Sequence, residues 1–401
     1  MRSRRLRSVE ESELLATARE LAERFGRRAV AHDREGTFPF ENFDDLKEAG
    51  FLKLTVPKTH GGDEISLSTF LRLQEVLAAG DGSTALALNM HLIRFGGERE
   101  SHSYPKHWFD EMCRGAVEDG WLSNTAATEE GLGSPAGGGI PETLAVAVEG
   151  GWQITGRKSF TTLSPILHYF ITSARISAAG TAPPEIGTFM ILRDDPGVRI
   201  EETWDSMSMR STGSHDLVLK GVRVPDGRLM NRRTVGKADP RGGAGQTWFA
   251  LGVSATTIGV AQAARDYAIE FARTRTPLGN APIREYPGVR ARVARMDVLL
   301  QRSRALVNDA AQAWTAKGEE GMPALDRVAV AKVETMNACI EVADIAMRVV
   351  GGVSLLKKRP IERYYRDVRA ALHNPPLEDR ALEQLARRAL DQQPTPARPT
   401  E

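Results

Sequence analysis

The period of the hydrophobic pattern changes twice along this chain, and that order of textures restricts the fold more than any single motif. From about Ser8 to Glu118 apolar residues recur at helical spacing, as in Leu14, Ala18, Leu21 and Phe25 and again in Phe70, Leu73, Val76 and Leu77. Phe38-Pro39-Phe40 and the turn His60-Gly61-Gly62-Asp63 interrupt these helices. From about Gly120 to Arg232 glycines multiply and short β-branched runs take over, among them Thr143–Val148, Trp152–Thr155 and Leu217–Leu219. Gly150-Gly151 and Asp194-Asp195-Pro196-Gly197 supply hairpin-type turns, so a mostly antiparallel β domain is predicted here. Past Thr247 the helical period returns and persists almost to Leu390, with runs at 261–273, 289–313 and 325–350 long enough to cross a helical bundle. The expected fold class is mainly α with a central β domain. Its parts are an α-helical domain (1–118), a middle β domain (119–235), a C-terminal helical bundle (236–393) and a disordered tail (394–401).

Composition removes several function classes. The 401 residues carry 53 basic and 52 acidic side chains, a net charge of +1. That balance lacks the basic excess that a nucleic-acid or acidic-lipid partner requires. Cys113 and Cys339 are the only cysteines and form no CxxC pattern, which disfavours a disulfide framework or a zinc site and suits a reducing compartment. The basic start MRSRRLRSVEESELL has no apolar stretch of the secretory kind, and no window approaches the ~20 apolar residues that span a bilayer. A cytoplasmic location without membrane or nucleic-acid partners is expected.

Four motifs carry chemistry. Ala126-Ala-Thr-Glu-Glu-Gly-Leu-Gly-Ser134 opens the β zone and can turn backbone N–H groups and a hydroxyl toward an anion or a ring carbonyl. In Ile154-Thr-Gly-Arg-Lys-Ser-Phe-Thr-Thr162-Leu-Ser164 an aromatic precedes a hydroxyl side chain by two residues, a spacing that can flank a planar cofactor. Met207-Ser-Met-Arg-Ser-Thr-Gly-Ser-His-Asp216 follows, and Pro360-Ile-Glu-Arg-Tyr-Tyr-Arg-Asp367-Val-Arg369 lies near the end of the bundle. Ser214, His215 and Asp216 are adjacent in one strand and cannot converge as a hydrolytic triad.

This ordered set resembles the acyl-CoA dehydrogenase family over roughly residues 10 to 390. The resemblance implies an N-terminal helical domain, a β-barrel-like middle domain and a C-terminal four-helix bundle, assembled as a dimer or, as in many members, a homotetramer around FAD. It places Thr128 at the pyrimidine edge of the flavin, Ser134 at its phosphate side, Phe160 against the isoalloxazine and Thr162 at N5. Arg275 and the paired Gly351-Gly352 correspond to contacts with the flavin tail. The partners implied are an acyl-thioester or other small substrate and either an electron-transfer flavoprotein or a flavin reductase.

The chain also departs from that pattern. The two positions where family members carry the glutamate that removes the substrate α-proton fall at Pro375 and Phe249, and the arginine near the coenzyme A phosphates falls at Ala250. Leu278, Tyr286 and Arg348 replace usual flavin-tail residues. His91 and His373 stand near the vacated region and are the catalytic candidates, since histidine titrates near neutrality. Glu129, Glu130, Glu378 and Asp379 are the substitute carboxylates. Similar histidines occur in the fold-related two-component monooxygenases, which take reduced flavin, FMN included, from a reductase and hydroxylate aromatic, amine or heterocyclic substrates. The flavin-side loop favours α,β-dehydrogenation of an acyl thioester with a non-standard base. Reduced-flavin monooxygenation is the alternative, and a non-catalytic flavoprotein is the third reading.

Overall fold

A computed structural model describes residues 2–131, 139–177, 184–235, 243–316 and 323–391. The expected tail and Ser134 lie outside these described residues.

The first helix, α1 (Arg2–Glu35), buries Ala18, Leu21 and Phe25 along one stripe and stops at Gly36, whose φ of +69° is costly for other residues. The helix α2 (Phe40–Glu48) follows the Phe38-Pro39 break. Side chains cap the next two helices. Ser66 Oγ accepts the Thr69 N–H at the start of α3 (Leu67–Gly80), and Asp81 accepts the Thr84 N–H at the start of α4 (Gly82–Ser101). Nearly every residue of α4 down to Phe95 is buried, because this helix runs between α3, the later bundle and the β domain. Beyond it α5 (Lys106–Arg114) leads through a π-helical turn, Gly115–Asp119, to the strands.

One eight-stranded sheet holds β1 (Leu122–Ala126), β2 (Leu144–Val148), β3 (Gly151–Lys158), β4 (Leu167–Ile176), β5 (Glu185–Leu192), β6 (Val198–Glu201), β7 (Asp216–Pro225) and β8 (Leu229–Thr234). Its order is β6-β7-β3-β2-β4-β5-β8, with β1 also pairing β4. Most neighbours are antiparallel, as expected, but β1 and β2 both run parallel to β4. Side-chain alternation could not disclose this, because both kinds of ladder share a period of two.

The C-terminal part packs three long helices, α6 (Ala244–Thr274), α7 (Pro287–Ala316) and α8 (Ala324–Val350), with the short α9 (Pro360–Asp367) and α10 (Glu378–Asp391). Small residues fill the centre of α6 and let backbones close in. A Cβ on Gly252 would lie 2.0 Å from Asn89 Oδ1, and one on Gly96 would lie 2.4 Å from the Trp248 ring. One continuous core cluster joins helices and sheet, and a smaller one beneath α5 gathers Phe95, Met112, Cys113, Tyr169 and Met190. Among the described residues no helix is long and apolar enough to cross a membrane.

Candidate active site

The two segments singled out in the β zone meet. Thr128 O accepts a hydrogen bond from Ser159 N–H at 2.9 Å, so the loop after β1 is tied to the connection between β3 and β4. In that connection Phe160 has φ +53° and Leu163 φ +71°, left-handed conformations that a side chain adopts only under constraint. The constraint is visible: Thr161 N–H donates to His215 O (3.1 Å), Thr162 N–H to Phe160 O (2.9 Å) and Leu163 N–H to Thr212 O (3.1 Å). The resulting kink leaves the Phe160 ring 61% exposed, braced edge-on by Trp204 at 5.4 Å, while turning Thr162 inward to 9% exposure.

Behind Thr162 lies a chain of hydroxyls. Thr162 Oγ1 is 2.8 Å from Ser214 Oγ, Ser214 Oγ is 2.7 Å from Thr212 Oγ1, and Thr212 Oγ1 donates to Met209 O at 3.0 Å. The far end sets a direction. If Thr212 gives its proton to a carbonyl, Ser214 gives its own to Thr212, and Thr162 gives its own to Ser214. Thr162 Oγ1 then keeps its lone pairs free of donors among the described residues. Reversal sacrifices the bond to Met209 O, about 1 kcal/mol, unless an outside acceptor replaces it.

Met209 itself is held in the left-handed region, φ +51°. Its N–H donates to Asp367 Oδ1 at 2.7 Å, and its carbonyl also takes the Trp204 Nε1–H at 3.1 Å. Asp367 is fully enclosed at the end of α9, and burial pushes its carboxyl up to about 7 against the pull of Arg363 and the Met209 N–H. Thus Asp367 positions the loop that sets the hydroxyl chain, a role the sequence motif did not reveal. Asn124 on β1 completes the frame, its Nδ2 donating to Thr162 O at 2.9 Å.

Glu129, next to Thr128, is buried and accepts from Lys158 Nζ (2.5 Å), Thr143 Oγ1 (2.6 Å) and the backbone N–H groups of Glu142 and Thr143. Burial pushes its carboxyl up, but these bonds outweigh burial and hold it below the usual carboxylate range. It is a structural anion, not a free base. Glu130 is exposed, and Glu378 and Asp379 sit exposed in the first turn of α10, Glu378 accepting from Asn337 Nδ2.

The histidines separate. His91 is completely buried, with Nε2 2.8 Å from Leu52 O and Nδ1 accepting the Ser123 N–H at 3.1 Å. Both ring nitrogens are therefore committed to the backbone, and burial pushes the pKa down to about 4. The expectation of a proton-transfer role for His91 gives way to that of a neutral strut between the turn at Phe51–Lys53 and β1. His373 is exposed in the turn Ala370–His373 and makes no side-chain hydrogen bond among the described residues. Pro375 and Phe249 are half-buried and Ala250 buried, so neither glutamate position offers a proton acceptor. Arg275, Gly351 and Gly352 are all exposed, on the α6–α7 connection and just past α8.

Family models describing the acyl-CoA dehydrogenase N-terminal, middle and C-terminal domains match residues 8–116, 124–222 and 247–373 in that order. YdbM of Bacillus subtilis (strain 168), which carries an acyl-CoA dehydrogenase name, is 42% identical over 92% of this chain and 95% of its own length. The chain belongs to the acyl-CoA dehydrogenase family. Within that family it is also 30% identical to L-evernosamine nitrososynthase of Micromonospora sp., over 86% of this chain and 82% of that protein. The solved structure of KijD3 with FMN and an amino-keto dTDP-sugar superimposes with a TM-score of 0.84 at 27% identity, covering 96% and 94% of the two chains. Like its homologues, this acyl-CoA dehydrogenase family member is a flavin-dependent oxidoreductase. The residues present fit a flavin: an exposed aromatic ring, a hydroxyl two residues on, and buried Ser159 and Thr161 hydroxyls that lack partners among the described residues.

Proposed function

We propose that this chain is a reduced-flavin-dependent monooxygenase built on the acyl-CoA dehydrogenase fold, acting on a small amine, aromatic or heterocyclic substrate. One observation carries the reading: the two positions where a dehydrogenase of this fold carries its glutamate hold Pro375 and Phe249, neither of which can accept a proton. Removing a proton α to a thioester requires a general base within hydrogen-bond reach. Oxygen transfer from reduced flavin does not.

In this reading Phe160 packs on the flavin ring and Thr162 Oγ1 stands at its N5 edge, with Thr128 on the pyrimidine side. The flavin, as FMN or FAD, supplies two electrons and, with O2, the oxygen atom that enters the substrate. With Thr212 donating to Met209 O, Thr162 is left as an acceptor, which suits the N–H that the N5 edge carries only when reduced. The polar network behind it is fixed before the cofactor arrives, so little reorganisation is needed. Likeness to a nitrososynthase and to KijD3 supports an amine substrate. A flavin reductase is the partner this chemistry requires.

Dehydrogenation of an acyl thioester stays as the second reading because of the 42% identity to YdbM. Its base would be His373 or, after it, Glu378 or Asp379, and its electron acceptor an electron-transfer flavoprotein. Anaerobic addition of a panel of acyl-CoA thioesters to the oxidised holoenzyme separates the two. The monooxygenase reading expects no bleaching, and expects product only with reductase, NAD(P)H, O2 and an amine or heterocycle. Bleaching by an acyl-CoA that is lost in His373→Ala would overturn it.

A further inference from the structure

We propose a second anion site, away from the ring face, that takes a small phosphate ester or diphosphate. A crevice of about 310 Å³ opens between the end of α1, the loop after β6 and the start of α9. That volume lies at the lower end of the ~300–1,000 Å³ usual for small-molecule sites, enough for a phosphoryl group with a compact organic part.

Its charges do not balance internally. Both carboxylates on its wall, Asp33 and Glu362, are consumed by Arg366, whose five N–H groups are all engaged by them and by Met207 O. Arg210 engages Asp205 and the carbonyls of Asp33 and Ser206 through Nε and Nη1. Arg34, Lys357 and Arg359 remain on the wall with no ion pair to a carboxylate among the described residues, and Arg363, although Asp81 and Asp367 stabilise its charge, forms no direct ion pair with either.

A buried donor points to the missing partner. Arg363 is only 4% exposed, yet among the described residues its Nη1 has no hydrogen-bond acceptor, and the buried Nε of Arg359 also lacks one. Buried guanidinium N–H groups are ordinarily paired, so these ask for an acceptor that the described residues do not provide. The N-terminus of α9 opens at the same place, with Pro360 in its first turn and no side-chain cap, and so adds free N–H groups and a partial positive charge. One carboxylate would meet one arginine. Two forked donors, two further cations and a helix N-terminus match the several oxygens and double charge of a phosphoryl group.

The test uses the purified full-length protein and inorganic pyrophosphate as probe, with calorimetry at low ionic strength. Saturable binding of one pyrophosphate per chain is expected. The double variant of two exposed residues, Arg34→Glu with Lys357→Glu, should weaken it about tenfold or more while leaving FMN affinity unchanged. Arg363→Gln provides an independent reading and should abolish binding in a protein whose melting curve stays cooperative. No saturation at millimolar pyrophosphate, or undiminished binding in the double variant, would overturn the proposal. So would competition of pyrophosphate with FMN but not with riboflavin, because the crevice would then be the flavin's own phosphate site.

Discussion

The β-domain loops around Phe160 and the edge of the C-terminal bundle are the two parts that the family resemblance assigns to one flavin site, and they differ in completeness. At the ring face every element is pinned within the chain: Phe160 by the kink and Trp204, Thr162 by Ser214 and Asn124, the loop behind by Asp367. At the bundle edge Arg275, Gly351 and Gly352 face outward beside exposed Leu278, Leu355 and Leu356. Large apolar side chains in solvent near functional positions are the mark of a surface made to be covered. We therefore place the tail of the flavin, as a proposal, against a second copy of this chain, and regard the ring face as self-sufficient.

The largest effect should come from the foundation of the ring face. Breaking the buried Glu129–Lys158 pair leaves an uncompensated charge, so Lys158→Met should cost about 3–5 kcal/mol in denaturant titrations. Loss of under 1 kcal/mol would mean that the pair does not organise this loop. Because the Glu129 carboxyl is held low when folded, its stabilisation is present above the ordinary carboxylate pKa and is lost as pH falls through the depressed value.

Next, Thr162→Val should slow flavin-dependent turnover by about 10²-fold, the usual result of removing one fixed polar contact to a reacting centre. Stopped-flow rates equal to wild type would detach Thr162 from the cofactor. His91 should act on stability alone. Its folded pKa of about 4 lies below the ordinary 6.5, so the stabilising effect of neutral His91 is complete above pH 6.5 and disappears as pH falls toward 4. The full difference amounts to about 3 kcal/mol. A kinetic pKa that moves in His91→Gln would restore a role in proton transfer.

At the bundle edge the expected effect is on assembly. Leu278→Asp with Leu355→Asp should convert a dimer or tetramer to monomer by light scattering, and Arg275→Ala should weaken flavin binding by roughly tenfold. A wild-type monomer that binds flavin tightly would remove the asymmetry between the two regions.

Much of this was legible in the sequence. Periodicity marked the long helices, and the joint order of motifs singled out the two loops that the Ser159 N–H to Thr128 O hydrogen bond ties together. The hydroxyl chain was not legible because its contacts span 52 residues between Thr162 and Ser214 and 158 between Met209 and Asp367. The only local trace was the run Ser211-Thr-Gly-Ser214, which reads equally well as a turn. His91 misled for a related reason. Its helix points toward the right region, but the groups that occupy its nitrogens, Leu52 O and Ser123 N–H, come from distant segments with no pattern of their own.

In the proposed function Thr162 waits as an acceptor for reduced flavin, a preference that paired anaerobic titrations with oxidised and reduced FMN measure. Wild-type protein should bind the reduced form several-fold more tightly, corresponding to about 1 kcal/mol from one directed hydrogen bond. Ser214→Ala, which frees the Thr162 hydroxyl to rotate, should erase most of that preference. Tighter binding of oxidised FMN by the wild-type protein, unchanged in Ser214→Ala, would contradict the account.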